Sequence, residues 1–429
     1  MALSSSSYSP FCCKCPSTSS SPYSSSRHSF RSSIHLNIPK NRKFKVHSKL
    51  PKAKIFPRAG MKSSSVSLPP LPEQRIMVGC GTVSTDYLAS VAAFPQPDEK
   101  IRSTALQVQG GGNVGNALTG AARLGLNPRI ISKVANDAPG RGILAELEAD
   151  GVDTSYIVVS ETGNSPFTYV IVDTQMKTRT CIHSPGTPPM IPEDLPASTL
   201  LSALTGARVV YFDGRLPQIA LMVAKEATRR ELPILVDAER KREGLDQLLT
   251  MADYVVCSAK FPQAWTEAPS IASALLAMVL RLPRLKFVIV TLGEAGCIML
   301  EKHMQETTEG EILDVNIVLE SLQKKAKGLN SNLPISVSSE VGSLEAAGIG
   351  KIYGRLLVGT AEAIPPSELV DTTGAGDGFI GSVLYALIAS MPPERMLPFA
   401  AKVAAAGCRA LGARTGLPYR SDSQLVTYL

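Results

Sequence analysis

From Arg75 onward the chain alternates short apolar runs with longer amphipathic ones. Arg75–Gly79, Pro128–Val134, Arg208–Phe212, Pro233–Val236, Tyr254–Cys257 and Phe287–Leu292 are short and mostly apolar, as strands buried on both faces require. Between them, Val114–Leu124, Gly140–Ala149, Leu216–Arg230 and Ala272–Leu282 carry helical patterns. This alternation predicts a parallel sheet covered by helices on both faces. Two stretches, 101–109 and 167–181, instead alternate polar and apolar residues with period two. They predict half-exposed strands that form a small β-lid projecting from the main sheet. Residues 301–350 break the pattern: they are polar, with Glu- and Lys-rich pieces and a Gly-containing end from Gly328 to Gly350. That segment reads as a polar insertion, a partly disordered surface excursion.

The first 72 residues stand apart. They hold 20 Ser and 12 Lys/Arg, and the first acidic residue is Glu73. A Ser-rich, basic, acid-free start without a long apolar stretch reads as an organelle transit peptide, and its Ser/Pro-rich beginning points to a plastid. Cleavage near Arg58 to Met61 is the expectation; a disordered tail that stays attached is the alternative. On this division residues 73–429 form the folded domain. The whole chain is +7, but beyond residue 72 it carries 32 Lys/Arg against 37 Asp/Glu, a net −5. Its basicity therefore gives no reason to expect nucleic-acid binding by the folded domain. No apolar run approaches the ~18 residues of a membrane-spanning helix. Five cysteines beyond the first segment (Cys80, Cys181, Cys257, Cys297 and Cys408) lie singly, which suits buried thiols better than a disulfide frame or zinc site.

The densest chemistry lies in Val370-Asp-Thr-Thr-Gly-Ala-Gly-Asp-Gly-Phe-Ile-Gly381. A polar extended segment enters a Gly-Ala-Gly turn, and Phe379, Ile380, Val383, Leu384, Leu387 and Ile388 then share one helix face. Gly374, Ala375 and Gly376 leave backbone N–H groups free to meet an anion at the positive end of that helix. Asp377 beside such a site would repel a phosphate unless it accepts a proton, so it reads as a general base next to phosphoryl transfer. A Gly-rich turn with a helix-capping Asp is the plain alternative.

A second motif is Gln109-Gly-Gly-Gly-Asn-Val-Gly-Asn116, followed by a small-residue helix ending Ala-Arg-Leu-Gly125. Gly110, Gly112 and Gly115 satisfy the dinucleotide-binding spacing, with Asp137 about 20 residues on. The preceding strand is alternating and not a buried apolar run, which speaks against that fingerprint. No G-x-x-x-x-G-K-[ST] is present, which excludes a P-loop kinase.

Both motifs resemble the signatures of the PfkB (ribokinase-like) family of small-molecule kinases, and the resemblance spans about residues 73–420. It implies a ribokinase-like fold: a central, mostly parallel sheet, helices on both faces, and a β-lid that often serves as a dimer contact. It also implies ATP-dependent phosphorylation of an alcohol group on a sugar or sugar-like compound, with Mg²⁺. Residue by residue, it implies that Asp377 is the base and that Gly374-Ala375-Gly376 is the anion hole. Asp86, in the segment Gly79-Cys-Gly-Thr-Val-Ser-Thr-Asp86 that ends the first strand, is implied with Gly111, Gly112 and Asn116 to hold the substrate hydroxyls, and Thr291 and Gly293 to face ATP. Asp371 and Thr373, with the loop from Gly412 to Gly416, resemble the family's monovalent-cation (K⁺) site. Asn113 stands where ribokinases often carry Lys. The family's Asn-x-x-Glu motif, which organises Mg²⁺, is replaced here by Ser258 and Phe261; ketohexokinases depart there too, and Val236-Asp-Ala-Glu239 has a similar flavour. Asp213 and Arg179 read as structural more than functional. A nucleoside would use the same diol contacts as ribose or fructose, so a nucleoside kinase is one alternative. A non-catalytic plastid scaffold of this family is the other.

Overall fold

The computed structural model describes residues 68–304 and 311–429. The presumed targeting segment up to residue 67 lies outside the described residues. β1 (Ile76–Cys80) passes directly into a lid through β2 (Ser84–Val91) and β3 (Ala105–Gly111). The chain returns to the main sheet through the helix Asn113–Arg123 as β4 (Asn127–Ala135); the helix Ala138–Ala149 leads to β5 (Ile157–Ser160). β6 (Phe167–Asp173) and β7 (Thr178–Ser184) complete the lid. Alternating helices then separate β8 (Val210–Phe212), β9 (Ile234–Ala238), β10 (Tyr254–Ser258) and β11 (Phe287–Thr291). β12 (Cys297–Lys302) turns back, and β13 (Ile312–Asp314), β14 (Ser336–Ser338), β15 (Gly342–Ala346) and β16 (Gly350–Gly359) lie beyond it.

The main sheet runs β13-β15-β16-β12-β11-β10-β9-β8-β1-β4-β5, with β14 also on β16. Its strands from β11 to β5 are all parallel. Period-two alternation divides each strand between two cores. Val78, Val210, Phe212, Val236 and Val288 join one buried cluster, whereas Met77, Tyr211, Leu235, Val256 and Ile289 join the other. This is why the strands read as continuous apolar runs. The connections wind from β1 outward to β4 and β5, then return to β8 on the other side of β1. That reversal opens a crevice at the carboxyl ends of β1 and β8, the place where such sheets bind ligands.

The lid is a four-stranded sheet, β3-β2-β6-β7. Its register sets Gln109, Asp86, Thr168 and His183 in one cross-strand row and Val108, Tyr87, Tyr169 and Ile182 in the adjacent one. The first row faces the main sheet; the second faces away from it, with Val108, Tyr169 and Ile182 exposed.

Two differences from the sequence reading stand out. Residues 311–350 do not form a loose excursion: the helix Val315–Gly328 buries Val315, Leu319, Leu322 and Ala326 against the sheet, and β14 and β15 pair with β16. Residues 305–310 of that segment lie outside the described residues. Asp86, read at the end of the first strand, lies instead within lid strand β2, six residues past the end of β1.

Candidate functional site

Beneath the lid lies a cavity of about 440 Å³. The lid contributes Ser84, Asp86, Thr168, Arg179, Cys181 and His183, and the helix Asn113–Arg123 contributes Asn113 and Asn116. The ends of the main-sheet strands bring Thr82, Arg215, Asp237, Glu239, Arg240, Ser258 and Thr291; the last motif brings Thr373, Gly374, Gly376 and Asp377.

The helix Ala375–Ile388 begins at Gly374, whose φ of 73° is left-handed. A Cβ there would stand 2.5 Å from that of Ala413, so both conformation and packing require glycine. Asp377 therefore sits in the first helical turn, three residues past the cap. It is half-buried, with the cavity as its opening, and crowding by protein raises its pKa to about 7. Burial is the largest cause; Asn116 and Arg179 pull the other way, while Glu239 and Asp213 add to the rise.

A chain of oriented groups stands behind Asp377. Asn116 Nδ2 donates to Asp377 Oδ2 at 2.8 Å, and Asn116 Oδ1 accepts from Arg414 Nε at 2.9 Å. Guanidinium nitrogens only donate, so Arg414 fixes which end of the Asn116 amide faces Asp377. Arg414 is 3% exposed and also donates from Nη2 to Gly111 O at 2.8 Å. Cβ atoms on Gly110 or Gly115 would come within 2.3 or 2.4 Å of its guanidinium. The glycine-rich motif thus leaves room for a buried arginine as well as for a ligand.

Asp86 is 5% exposed and accepts from Ser84 Oγ at 2.8 Å. Burial raises its pKa, against the lowering effects of Ser84, Arg414 and Thr168. Gly111 lies directly behind it: a Cβ at that position would be 2.2 Å from the Asp86 carboxylate. Gly112, with φ of 85°, precedes the helix and lines the cavity.

The remaining expected residues divide. Thr291 lines the cavity, and its Oγ1 donates to Cys257 O at 3.3 Å. Gly293 lies in the exposed turn after β11 with φ of 61°. Asp371 is buried beside the turn; its Oδ1 accepts from Thr373 N and Oγ1, and its Oδ2 accepts from Gly412 N at 2.9 Å. Ala375 opens the helix without lining the cavity. Asp213 is buried and ties Thr82 to the Arg215 backbone, a structural role.

Sequence reasoning gave too little weight to three groups. Arg179 lines the cavity and donates to Thr372 Oγ1 at 2.8 Å. Asp237 lines it too; burial, then the charges of Asp377 and Glu239, push its pKa well above the carboxylate range. Arg414 lies in the Gly412-to-Gly416 loop, whose resemblance to a cation site gave no sign of this arginine's role. Where Asn-x-x-Glu was expected, Ser258 Oγ donates to Glu239 O at 2.6 Å and Phe261 is buried, stacked on Trp265. Asp237 and Glu239 line the cavity together with Ser258 and offer carboxylate oxygens in place of that motif. Two carboxylates suit Mg²⁺ arriving on a nucleotide, which keeps several waters and phosphate oxygens. Among the described residues there is no cluster of three or more His, Cys, Asp or Glu that would hold a metal by itself.

The chain is 22% identical to mouse (Mus musculus) ribokinase over 364 residues, covering 83% of this chain and 96% of that protein. It is 22% identical to mouse ketohexokinase over 354 residues, covering 80% and 97%. The structure of Arabidopsis thaliana ribokinase complexed with ribose and ATP superimposes with a TM-score of 0.56 at 20% identity, covering 83% of this chain and 98% of that one. That likeness shows the fold. The sequence profile described as pfkB family carbohydrate kinase matches residues 77–316 and 357–420, well over half of the chain. The chain therefore belongs to the pfkB family of carbohydrate kinases.

Proposed function

We propose that the protein transfers the γ-phosphoryl group of ATP to a hydroxymethyl group of a sugar or sugar-like acceptor. The observation that carries this reading is Asp377: a carboxylate with a pKa of about 7, in the first turn of a helix that begins at a glycine-rich turn, lining the cavity beneath the lid. In this reading Asp377 takes the acceptor's proton as its oxygen attacks the γ-phosphorus. The amides of Gly374 and Gly376 stabilise charge on the transferring oxygens, whereas the Ala375 N–H is taken by Thr372 O, and Arg179 adds its guanidinium from the lid. Asn116 holds the base in place, while Asp86 accepts from acceptor hydroxyls through oxygens that Ser84 leaves free. Thr291 and Gly293 mark the nucleotide side. Mg²⁺ on ATP, when bound, neutralises phosphoryl charge; Asp237 and Glu239 would hold it.

Asp86 would bind the diol of a sugar or of a nucleoside alike, so a nucleoside kinase is the second reading. Three finer proposals accompany the main one. The 12 basic residues and acid-free sequence of residues 1–72 support plastid import, which a fluorescent fusion of that segment tests directly. The exposed lid row Val108, Tyr169 and Ile182 supports a homodimer through the lid. Asp371 and Thr373 support a K⁺ site, which predicts faster turnover in K⁺ than in an inert cation such as tetramethylammonium. The main reading is tested by ADP release from Mg-ATP with a panel of sugars and nucleosides, native protein against Asp377→Asn. Turnover that vanishes in the variant supports the base; a folded protein that binds no ATP and turns over none of the panel overturns the reading.

A further inference from the structure

Besides the carboxylates of Asp86, Asp237, Glu239 and Asp377, the cavity is lined by Arg179, His183, Arg215 and Arg240, and this positive charge lies in two places. Arg179 is at one end of β7, bonded to Thr372 of the turn that opens the Asp377 helix. His183 is four residues along the same strand face, roughly 13 Å away at strand rise. Arg215 reaches the cavity from the end of β8. Its backbone N–H donates to Asp213, whose other oxygen holds Thr82 at the end of β1. His183 shares its cross-strand row with Asp86. In the sheet order Arg215, after β8, stands on the far side of Glu239, after β9, from Thr291 on β11, so Arg215 and His183 belong to the acceptor side, with Glu239 between them and the nucleotide.

Local pairing does not use up this charge. Glu239 is the single carboxylate in salt-bridge range of Arg215, at 3.9 Å, and it is also taken by Arg242 at 2.5 Å and Arg240 at 3.4 Å. Three guanidinium groups thus share one carboxylate. The Arg215 Nε hydrogen is buried and has no hydrogen-bond partner in the protein. Mutual repulsion adds to burial in lowering the pKa of Arg242 and of His183. Such a cluster gains a partner when an anion enters the cavity.

We infer that the acceptor is itself an anion, a sugar carrying a phosphate, sulfonate or carboxylate group, and that Arg215 with His183 receives that group. This rests on the kinase reading above and specifies its substrate class. The acceptor would lie along the lid row, its hydroxyls at Asp86, its reacting end at Asp377, and its charged end at Arg215.

The test compares neutral and anionic acceptors of matched skeleton with the full chain, each charged member keeping a free hydroxymethyl group: fructose against fructose 6-phosphate, ribose against ribonate, and glucose against gluconate. The expected result is a kcat/KM higher for the charged member of at least one pair by about tenfold to a hundredfold, the worth of one charge-assisted contact. In Arg215→Gln that ratio should fall toward one. The phosphate and carboxylate arms identify which oxyanion the site takes. Turnover on neutral sugars alone, dependent on Asp377, would overturn the anionic acceptor and leave the kinase reading standing. An Arg215→Gln variant that keeps the ratio but raises KM for ATP would assign the cluster to the nucleotide. Silence on both members of every pair would overturn both proposals.

Discussion

The two ends of the cavity, assigned in the proposed reading to acceptor and nucleotide, are built differently. At the acceptor end, charged groups are buried and hold one another: Asp377 to Asn116 to Arg414, and Asp86 to Ser84. Glycines at 110, 111 and 115 let these groups approach the backbone closely. At the nucleotide end, Thr291, Gly293 and Ser258 are uncharged, partly or fully exposed, and lie at strand ends or turns. A Cβ on Gly293 would meet nothing within 4 Å, whereas one on Gly111 would strike Asp86. The acceptor end is preorganised at a cost in buried charge. The end proposed for the nucleotide is an open ledge.

This contrast orders the expected effects of substitution. Asp377→Asn should lower kcat by ~10²–10⁴-fold, the usual worth of a general base. The same variant should be more stable than the native protein at pH 8. A carboxylate whose folded pKa is raised to about 7 loses stability as pH rises from its unfolded value near 3.8 through 7. The pKa difference sets a ceiling of ~4 kcal/mol on that gain, reduced because the carboxylate meets solvent in the cavity. Thermal melts at pH 4 and pH 8 check it: the gap between variant and native should widen with pH.

Arg414→Met leaves Asn116 Oδ1 and Gly111 O without their donor, at a cost on the order of 1–3 kcal/mol for each acceptor left bare. Denaturant unfolding measures that loss. Activity should fall as well, because the Asn116 amide is then free to flip. Asp86→Asn should raise KM for the acceptor by roughly tenfold or more while leaving KM for ATP nearly unchanged, since a charge-assisted contact is lost. Equal rises in both constants would erase the distinction between the two ends. Ser258→Ala should have the smallest effect, under about threefold on KM for ATP, because its hydroxyl serves the Glu239 backbone and that bond is worth only ~1 kcal/mol. At the lid's outer face, Tyr169→Glu should shift sedimentation toward a monomer and leave the cavity row untouched.

The same contrast explains what the sequence disclosed. The parallel strands were legible because burial on both faces leaves continuous apolar runs, and the runs at 254–257 and 287–292 fall on β10 and β11 within a residue. The Asp377 segment was legible because glycine spacing and an apolar helix coincide there. The strands β14 and β15 were not: they are short, carry Ser, Gly and Glu, and bury one face only. The helix that covers them did leave a signal, since Val315, Leu319, Leu322 and Ala326 recur at helical spacing within a charged segment. Arg414 could not be found from local pattern. It meets Asn116 across 298 residues, and only the fold brings them together.

The most direct measurement is kcat/KM for the acceptor between pH 5 and pH 9, in the native protein and in Asp377→Asn. A base with a pKa of about 7 predicts that log kcat/KM rises with unit slope below pH 7 and levels above it, and that this limb is absent from the residual activity of the variant. A native profile flat across that range, or a variant that retains both the rate and the limb, would contradict Asp377 as the base.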